Sequence, residues 1–241
     1  MTLTEKYLDC CLHMIDTVKS QQDAIRQAAA WFAESILKGR VVHVFGSGHS
    51  RIMVEEMWPR YGSFAGFNPI VELSMTFHNL VTGANGQRQA MYIENMPGLA
   101  AQILRNFKLS PIDTALIISS SGTNIVPCEL AELFQSLGIK VVAIVTREHL
   151  AASQSKRPDG KKLHDFADLL LDNGAIAGDA MIRIPGMDMP VSPGSTVGSV
   201  MLINTLKAEL ANILTLRGCP PKALVATCLV GKEKAEQVFN Q

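Results

Sequence analysis

Two short stretches carry residue types that do chemistry. In VVHVFGSGHSR, residues 41–51, five β-favouring residues run straight into Gly46-Ser47-Gly48-His49-Ser50. In TALIISSSGTNIVPCEL, residues 114–130, another apolar run ends in Ser119-Ser120-Ser121-Gly122-Thr123-Asn124. A tight turn alone would account for either stretch. Together they fit a site for an anionic group. Glycine lets the backbone approach a ligand closely, hydroxyls donate, and a helix starting after each turn offers free N–H groups at its positive end. Neither turn contains Lys or Arg, so neutral donors and the helix dipole would do the binding. A phosphate is the anion these donors suit best. Other phosphate and catalytic motifs are excluded. GxGxxG fails because Arg51 stands where the third glycine belongs, no GKS or GKT occurs, and GSGHS lacks the GxSxG order of a nucleophile elbow.

The surrounding periodicities say what must position these turns. Residues 3–38 read as helix, with apolar positions every three and four residues, a break near Ser20 and a stop at Gly39. These helices are expected either outside the main sheet or against another subunit. Strands are expected at Val41–Phe45, Pro69–Leu73, Thr114–Ser119, Lys140–Thr146 and Asp168–Leu171. Helices are expected at Ser50–Trp58, Met96–Phe107 with Pro97 in its first turn, Val126–Leu137, and a long apolar one at Gly194–Leu216. Near-continuous Val/Ile/Leu strands alternating with helices predict a three-layer α/β fold, a doubly wound parallel sheet with two N-terminal helices. In such a sheet ligands bind at the carboxyl ends of strands, where both turns lie. The expectation is one domain over 1–241: helices 1–38, an α/β core 39–216 and a C-terminal tail 217–241. Segments 60–96 and 172–195 read as loops over one end of the sheet.

Composition narrows the class. Hydrophobic residues make up 47% of the 241, enough for a large core, and 22 basic residues balance 22 acidic ones. A zero balance gives no global field for nucleic acid or anionic membrane. Five cysteines show neither CxxC nor zinc-site spacing. The stretch MTLTEKYLDC has no apolar signal core and no apolar run reaches membrane-spanning length, so a cytoplasmic protein is expected. The charge run KRPDGKK, 156–162, reads as an exposed turn without aromatics to stack bases. MIRIPGMDMP, 181–190, reads as loop packing or an adaptable pocket wall.

A strand ending in GSGxS followed by one ending in SxSGxT or SxSGxN resembles the SIS (sugar isomerase) phosphosugar-binding domain. Here the two are GSGHS at 46–50 and SSSGTN at 119–124. The resemblance covers about residues 1–216, because members of that family also begin with two helices. SSSGTNIVP, DNGAIAGDA (172–180) and PVSPGSTVGSVMLIN (190–204) are most similar to a bacterial group of stand-alone SIS proteins. Sedoheptulose 7-phosphate isomerase and N-acetylmuramic acid 6-phosphate etherase are similar in layout. The resemblance implies a phosphorylated sugar as ligand; no spacing among the six histidines suggests a metal site, and the chemistry considered below needs no metal or organic cofactor. The same resemblance implies that Ser119, Ser121, Thr123 and Asn124 bind the phosphate and that Ser47 and Ser50 border the sugar or phosphate, with Gly46 and Gly48 of the same turn expected beside the sugar. It further implies a homodimer or homotetramer, with sites near subunit interfaces.

Isomerisation of a sugar phosphate and cleavage of its ether both begin by removing a proton beside a carbonyl, which asks for a carboxylate over the sugar. Glu56 is the first candidate. It follows the glycine turn in EEMWPRY, a partial match to the E-L-x-G-R-F pattern of heptose phosphate isomerases, with Met57 and Pro59 as departures. Its alternative is a solvated or salt-bridged helix residue. Glu94, in YIEN, is the second candidate, with charge compensation at a helix start as its alternative. Glu72 is a further possibility and Glu55 a weaker one. His49 either donates to a sugar oxygen or caps its turn. His78 lies in a loop over the site, His43 reads as structural, and His13, His149 and His164 read as peripheral. The last long helix lacks the Q-E-x-H motif of the heptose isomerases, which argues against heptose isomerisation in particular. Ser195 and Thr196 there either touch the sugar or begin the helix. Asp172, Asn173 and Asp179 bind sugar hydroxyls or shape turns. Two functions follow: an isomerase or lyase acting by proton abstraction, or a non-catalytic phosphosugar sensor.

Overall fold

The computed structural model describes residues 1–76 and 87–240. Its sheet has five strands, all parallel, in the order β2-β1-β3-β4-β5: β1 Val42–Gly46, β2 Phe67–Ile70, β3 Thr114–Ile118, β4 Lys140–Val145 and β5 Leu169–Asp172. Alternate residues of each strand point to opposite faces, and both faces are covered. Val42, Val44, Leu116, Ile118, Val142 and Ile144 pack under α1 (Leu3–Ser20), α2 (Gln22–Leu37), α3 (Arg51–Met57) and α8 (Ser195–Leu216). Phe45, Ala115, Ile117, Val141, Ala143 and Val145 pack under α5 (Leu99–Leu104) and α6 (Ile125–Ser136). Burial on both faces is why the strands read as unbroken apolar runs rather than alternating ones.

Among the described residues there are four further α-helices: α4 Gln87–Ile93, α7 Arg147–Ala152, α9 Thr227–Val230 and α10 Lys232–Phe239. The helix α1 starts at a capping box in which Thr2 accepts from the Glu5 amide and the Glu5 carboxylate accepts from the Thr2 amide. The break falls at Gln21, whose side chain donates to the Asp172 carbonyl and accepts from the Asp172 amide, tying the helix junction to the end of β5. The first two helices therefore belong to the helical layer of the sheet, with α2 packed on α8 and on the sheet itself. No apolar run was expected to reach membrane-spanning length. Yet α8 is long and apolar enough by length and composition, with mean hydropathy 1.2 over its best window. In the fold it is a core helix that buries Leu202, Ile203, Leu206, Leu210 and Leu214.

Several boundaries differ from the sequence pattern. The edge strand β2 begins two residues earlier than expected and places Pro69 where a missing N–H is tolerated. The helix expected at Met96–Phe107 shrinks to Leu99–Leu104 because Gly98 takes the left-handed conformation, φ 80°, and starts it afresh. The segment 60–96 is not all loop, since it holds β2 and α4. The tail is not featureless either. Leu224 exchanges backbone hydrogen bonds with Ser63 and Gly62, and the rings of Tyr61 and Phe239 meet edge-on.

The amino end of the sheet is closed by a charge cluster. Asp113, 2% exposed, accepts from Arg40 Nε at 2.8 Å and Nη2 at 2.9 Å, from the Ser110 amide at 2.8 Å, and pairs with His43 Nε2 at 3.1 Å. The other ring nitrogen of His43 meets Asn68 Nδ2 at 2.9 Å. Burial alone would push Asp113 up, but Arg40, His43 and the Ser110 amide outweigh it and hold the carboxyl below its usual range. His43 is structural, as its place in β1 implied.

Candidate functional site

At the carboxyl end of the sheet, β1 is paired to β2 on one side and β3 on the other, so the strand order reverses there. That reversal is where parallel α/β sheets open a crevice for ligands. The turns after β1 and β3 form its floor. The first turn is a 3₁₀ turn, Gly48–Ser50, folded back over the strand end, with the Ser50 amide donating to Ser47 O at 3.0 Å. A Cβ on Gly46 would come within 2.5 Å of the Ser50 carbonyl oxygen, so only glycine permits this fold-back. In the second turn Ser119 Oγ accepts from the Gly122 amide, and Ser121 Oγ accepts from the Thr123 hydroxyl at 3.0 Å.

A cleft of about 420 Å³ lies over these turns. It is lined by Ser47, Gly48, His49 and Ser50 from the first turn and by Ser119, Ser120, Ser121 and Asn124 from the second. Glu94 and Met91 close one side, Met53 rises from α3, and His149, Asp179, Pro193, Ser195 and Thr196 close the other. Glu94 joins the two turns. Its carboxylate accepts from Ser47 Oγ at 2.6 Å, while its carbonyl accepts from the Val126 amide at 2.9 Å. Asn95 Oδ1 accepts from the Ile125 amide. Two first-turn amides of α6 are thus occupied by the protein itself. Burial raises the Glu94 carboxyl above its ordinary value, against the opposing effects of the Ser47 hydrogen bond and the Lys156 charge.

The structure brings together most but not all of the residues singled out above. Glu94, His49, Ser47, Gly48, Ser50, Ser119, Ser121, Asn124, Ser195 and Thr196 all reach the cleft. Glu56 does not line it. Its carboxylate faces α8, bonded to Arg60 Nη1 at 2.6 Å and Asn204 Nδ2 at 3.1 Å, with the buried Lys207 ammonium 3.6 Å away. Burial opposes ionisation there, yet Asn204, Arg60 and Lys207 prevail and hold Glu56 below the usual carboxylate range. Within one chain this is the salt-bridged alternative. Thr123 is buried beneath its turn, and Gly46 lies under its own. Asn173 is fully buried, bonded to Thr146 Oγ1, Ser199 Oγ and the Ser195 carbonyl. Asp172 accepts from the Arg147 and Gly174 amides. Both shape turns. Glu72 caps the 3₁₀ turn Leu73–Met75 through Ser74. His78 lies outside the described residues.

Two participants escape the sequence pattern, and a third, Asp179, takes one of the two roles left open for it. His149, taken as peripheral, lines the cleft from α7, and its enclosed Nδ1 has no hydrogen-bond partner among the described residues. It lies four residues beyond the end of β4, so the rule that strand carboxyl ends carry ligand groups would have found it. Ser120 lines the cleft beside its neighbours. Asp179, with φ 53°, accepts from the Gly194 and Ser195 amides at 3.0 and 2.7 Å and from Ser195 Oγ at 2.6 Å. It caps α8 from a distance, so Ser195 is held by that cap and not free. Among the described residues no cluster of His, Cys, Asp and Glu is suited to a metal ion.

A parallel sheet ordered 2-1-3-4-5, with two hydroxyl-rich turns at its switch point, defines a flavodoxin-like α/β domain with a polar-walled crevice there. Residues 6–146 match the SIS domain, and the chain belongs to that family. Among relatives, a UPF0309 protein of Listeria monocytogenes serotype 4b is 28% identical over 225 residues, 93% of this chain and 89% of that one. Another, from Thermoanaerobacter pseudethanolicus, is 31% identical over 234 residues, 95% and 92% of the two chains. Among solved structures, a phosphoheptose isomerase from Francisella tularensis superposes with TM-score 0.53 at 17% identity, covering 87% of this chain and 98% of that one. At that identity the likeness speaks to the fold alone.

Proposed function

We propose that the chain is an enzyme acting on a phosphorylated sugar by removing a proton next to a carbonyl, as an isomerase or a lyase. The observation that carries the reading is the placement of Glu94. It is a half-buried carboxylate with a raised pKa, bonded to Ser47 and facing a hydroxyl turn across one cleft. A general base near neutrality needs such a raised value. Ser119, Ser121 and Asn124 hold the phosphate, and Ser47, Ser50 and Thr196 meet sugar oxygens. Ser47 shares its proton with Glu94 until the sugar arrives. His49, exposed at the cleft, supplies a further donor. Glu94 replaces Glu56 as the base because Glu56 is bound into α8.

The test is proton and phosphorus NMR in heavy water with a panel of aldose, ketose, amino-sugar and N-acetylmuramic acid phosphates. Wash-out of the proton beside the carbonyl by the wild type, lost in Glu94→Gln while binding persists, is the expected result. Binding of a phosphosugar by both proteins with no exchange in either would establish the sensor function instead. Self-association is part of the same proposal, and it would cover Leu8 and Leu12, one turn apart on α1 and 56% and 57% exposed. Light scattering at micromolar concentration should give a mass of at least twice 26.2 kDa.

A further inference from the structure

Neither glycine-serine turn contains Lys or Arg, and among the described residues none lines the cleft. The charge comes from a part of the chain that reads as an exposed turn. After α7 the loop 153–162 returns across the second turn, and the Lys156 amide donates to the Thr123 carbonyl at 3.2 Å. The Lys156 ammonium donates to Asn124 Oδ1 at 2.6 Å. Lysine can only donate, so this bond fixes the amide of Asn124 with its oxygen toward Lys156 and its NH₂ group elsewhere, available as a donor.

The other cations of the segment are engaged. Arg157 pairs with Glu132 at 2.9 Å and Asp159 at 2.7 Å and lies over the Phe166 ring. Lys162 donates to the Leu150 carbonyl, and Lys161 sits over Phe166. Arg157 thereby braces the loop, while Lys156 forms no ion pair among the described residues and meets only a neutral amide oxygen. An ammonium bonded to the last residue of the hydroxyl turn, without a carboxylate of its own, is open to an anion from outside. Its charge already reaches Glu94 across the cleft.

We propose that Lys156 is the cation of the anion site, closing over the Ser119–Asn124 turn and selecting doubly charged phosphate monoesters over neutral or singly charged sugars. The inference rests on the phosphosugar reading of the same cleft and deepens it. A lysine supplies a point charge without bidentate geometry, so it tolerates a phosphate at slightly different heights above the turn.

The experiment is calorimetric titration of the full chain with inorganic phosphate at pH 8, at low and high ionic strength. Lys156→Gln should weaken binding about tenfold at low salt, the usual worth of one charge-assisted hydrogen bond. It should also flatten the salt dependence. Lys156→Arg should keep most of both. Ser121→Ala should weaken binding about threefold at either salt. If Ser121→Ala weakens binding and Lys156→Gln leaves affinity and salt dependence unchanged, the lysine is no ligand and the inference alone is overturned. A loss in Lys156→Gln with unchanged salt dependence overturns it as well, because that is a packing effect. If the wild type binds no phosphate at millimolar concentration, the inference and the phosphosugar reading both fail.

Discussion

A buried and a half-buried carboxylate sit at opposite ends of the same sheet, and the protein treats them in opposite ways. Asp113, at the amino end, is surrounded by Arg40, His43 and the Ser110 amide and is held low. Glu94, at the carboxyl end, has one side-chain hydroxyl and a more distant lysine, and is held high. Burial acts on both in the same direction, so the difference is one of partners. A saturated carboxylate stabilises; a carboxylate with one exchangeable partner is available to a ligand. Glu56 falls on the Asp113 side of this division, with Arg60, Asn204 and Lys207 around it.

Mutation separates the two carboxylates most sharply. Asp113→Ala leaves Arg40 and His43 without their counter-charge and should lower the unfolding free energy by about 3–5 kcal/mol in a denaturant titration. Glu94→Gln should change it by less than about 1 kcal/mol, since the amide can still accept from Ser47. Equal losses in the two variants would mean that Glu94 is structural after all.

Acid and base titration of stability should then separate the two ends. The folded value of Asp113 lies below its unfolded one, so its contribution is complete above the ordinary carboxylate range and is lost as pH falls through the depressed value. The folded value of Glu94 lies above its unfolded one, so the native state holds more protons between them and stability declines as pH rises across that window. Asp113→Asn should therefore flatten the acid limb of a pH–stability profile. Glu94→Gln should remove the decline on the side just above the ordinary glutamate value. The smallest expected effect is at His149. Replacing it by Phe removes a nitrogen enclosed without a partner and should raise stability by about 1 kcal/mol, while phosphosugar affinity falls. A loss of stability would show that the ring has a structural partner.

The fold was legible because its signal is local. Apolar runs and the glycines ending helices marked four of the five strands within two residues, and the turn chemistry marked both loops of the cleft. What stayed hidden was set by returns of the chain. As text Glu56 is the better candidate of the two, and only the docking of α3 on α8 turns it away. His149 sits on a helix of six residues, too short for a periodicity to show. Lys156 is one of a solvated run in the sequence and owes its position to Arg157, which is anchored on Glu132 and Phe166. Asp179 caps a helix that starts 16 residues later, beyond any local capping pattern.

The bond from the Val126 amide to the Glu94 carbonyl has one more consequence. It fastens the backbone that bears the carboxylate to the helix that follows the phosphate turn, so the separation of base and phosphate does not depend on loop motion. On the proposed chemistry the cleft is then a ruler. Sugars are sorted by how many carbons separate the phosphate from the acidic C–H, and homologues one carbon longer or shorter bind at the turn but present the wrong atom to Glu94.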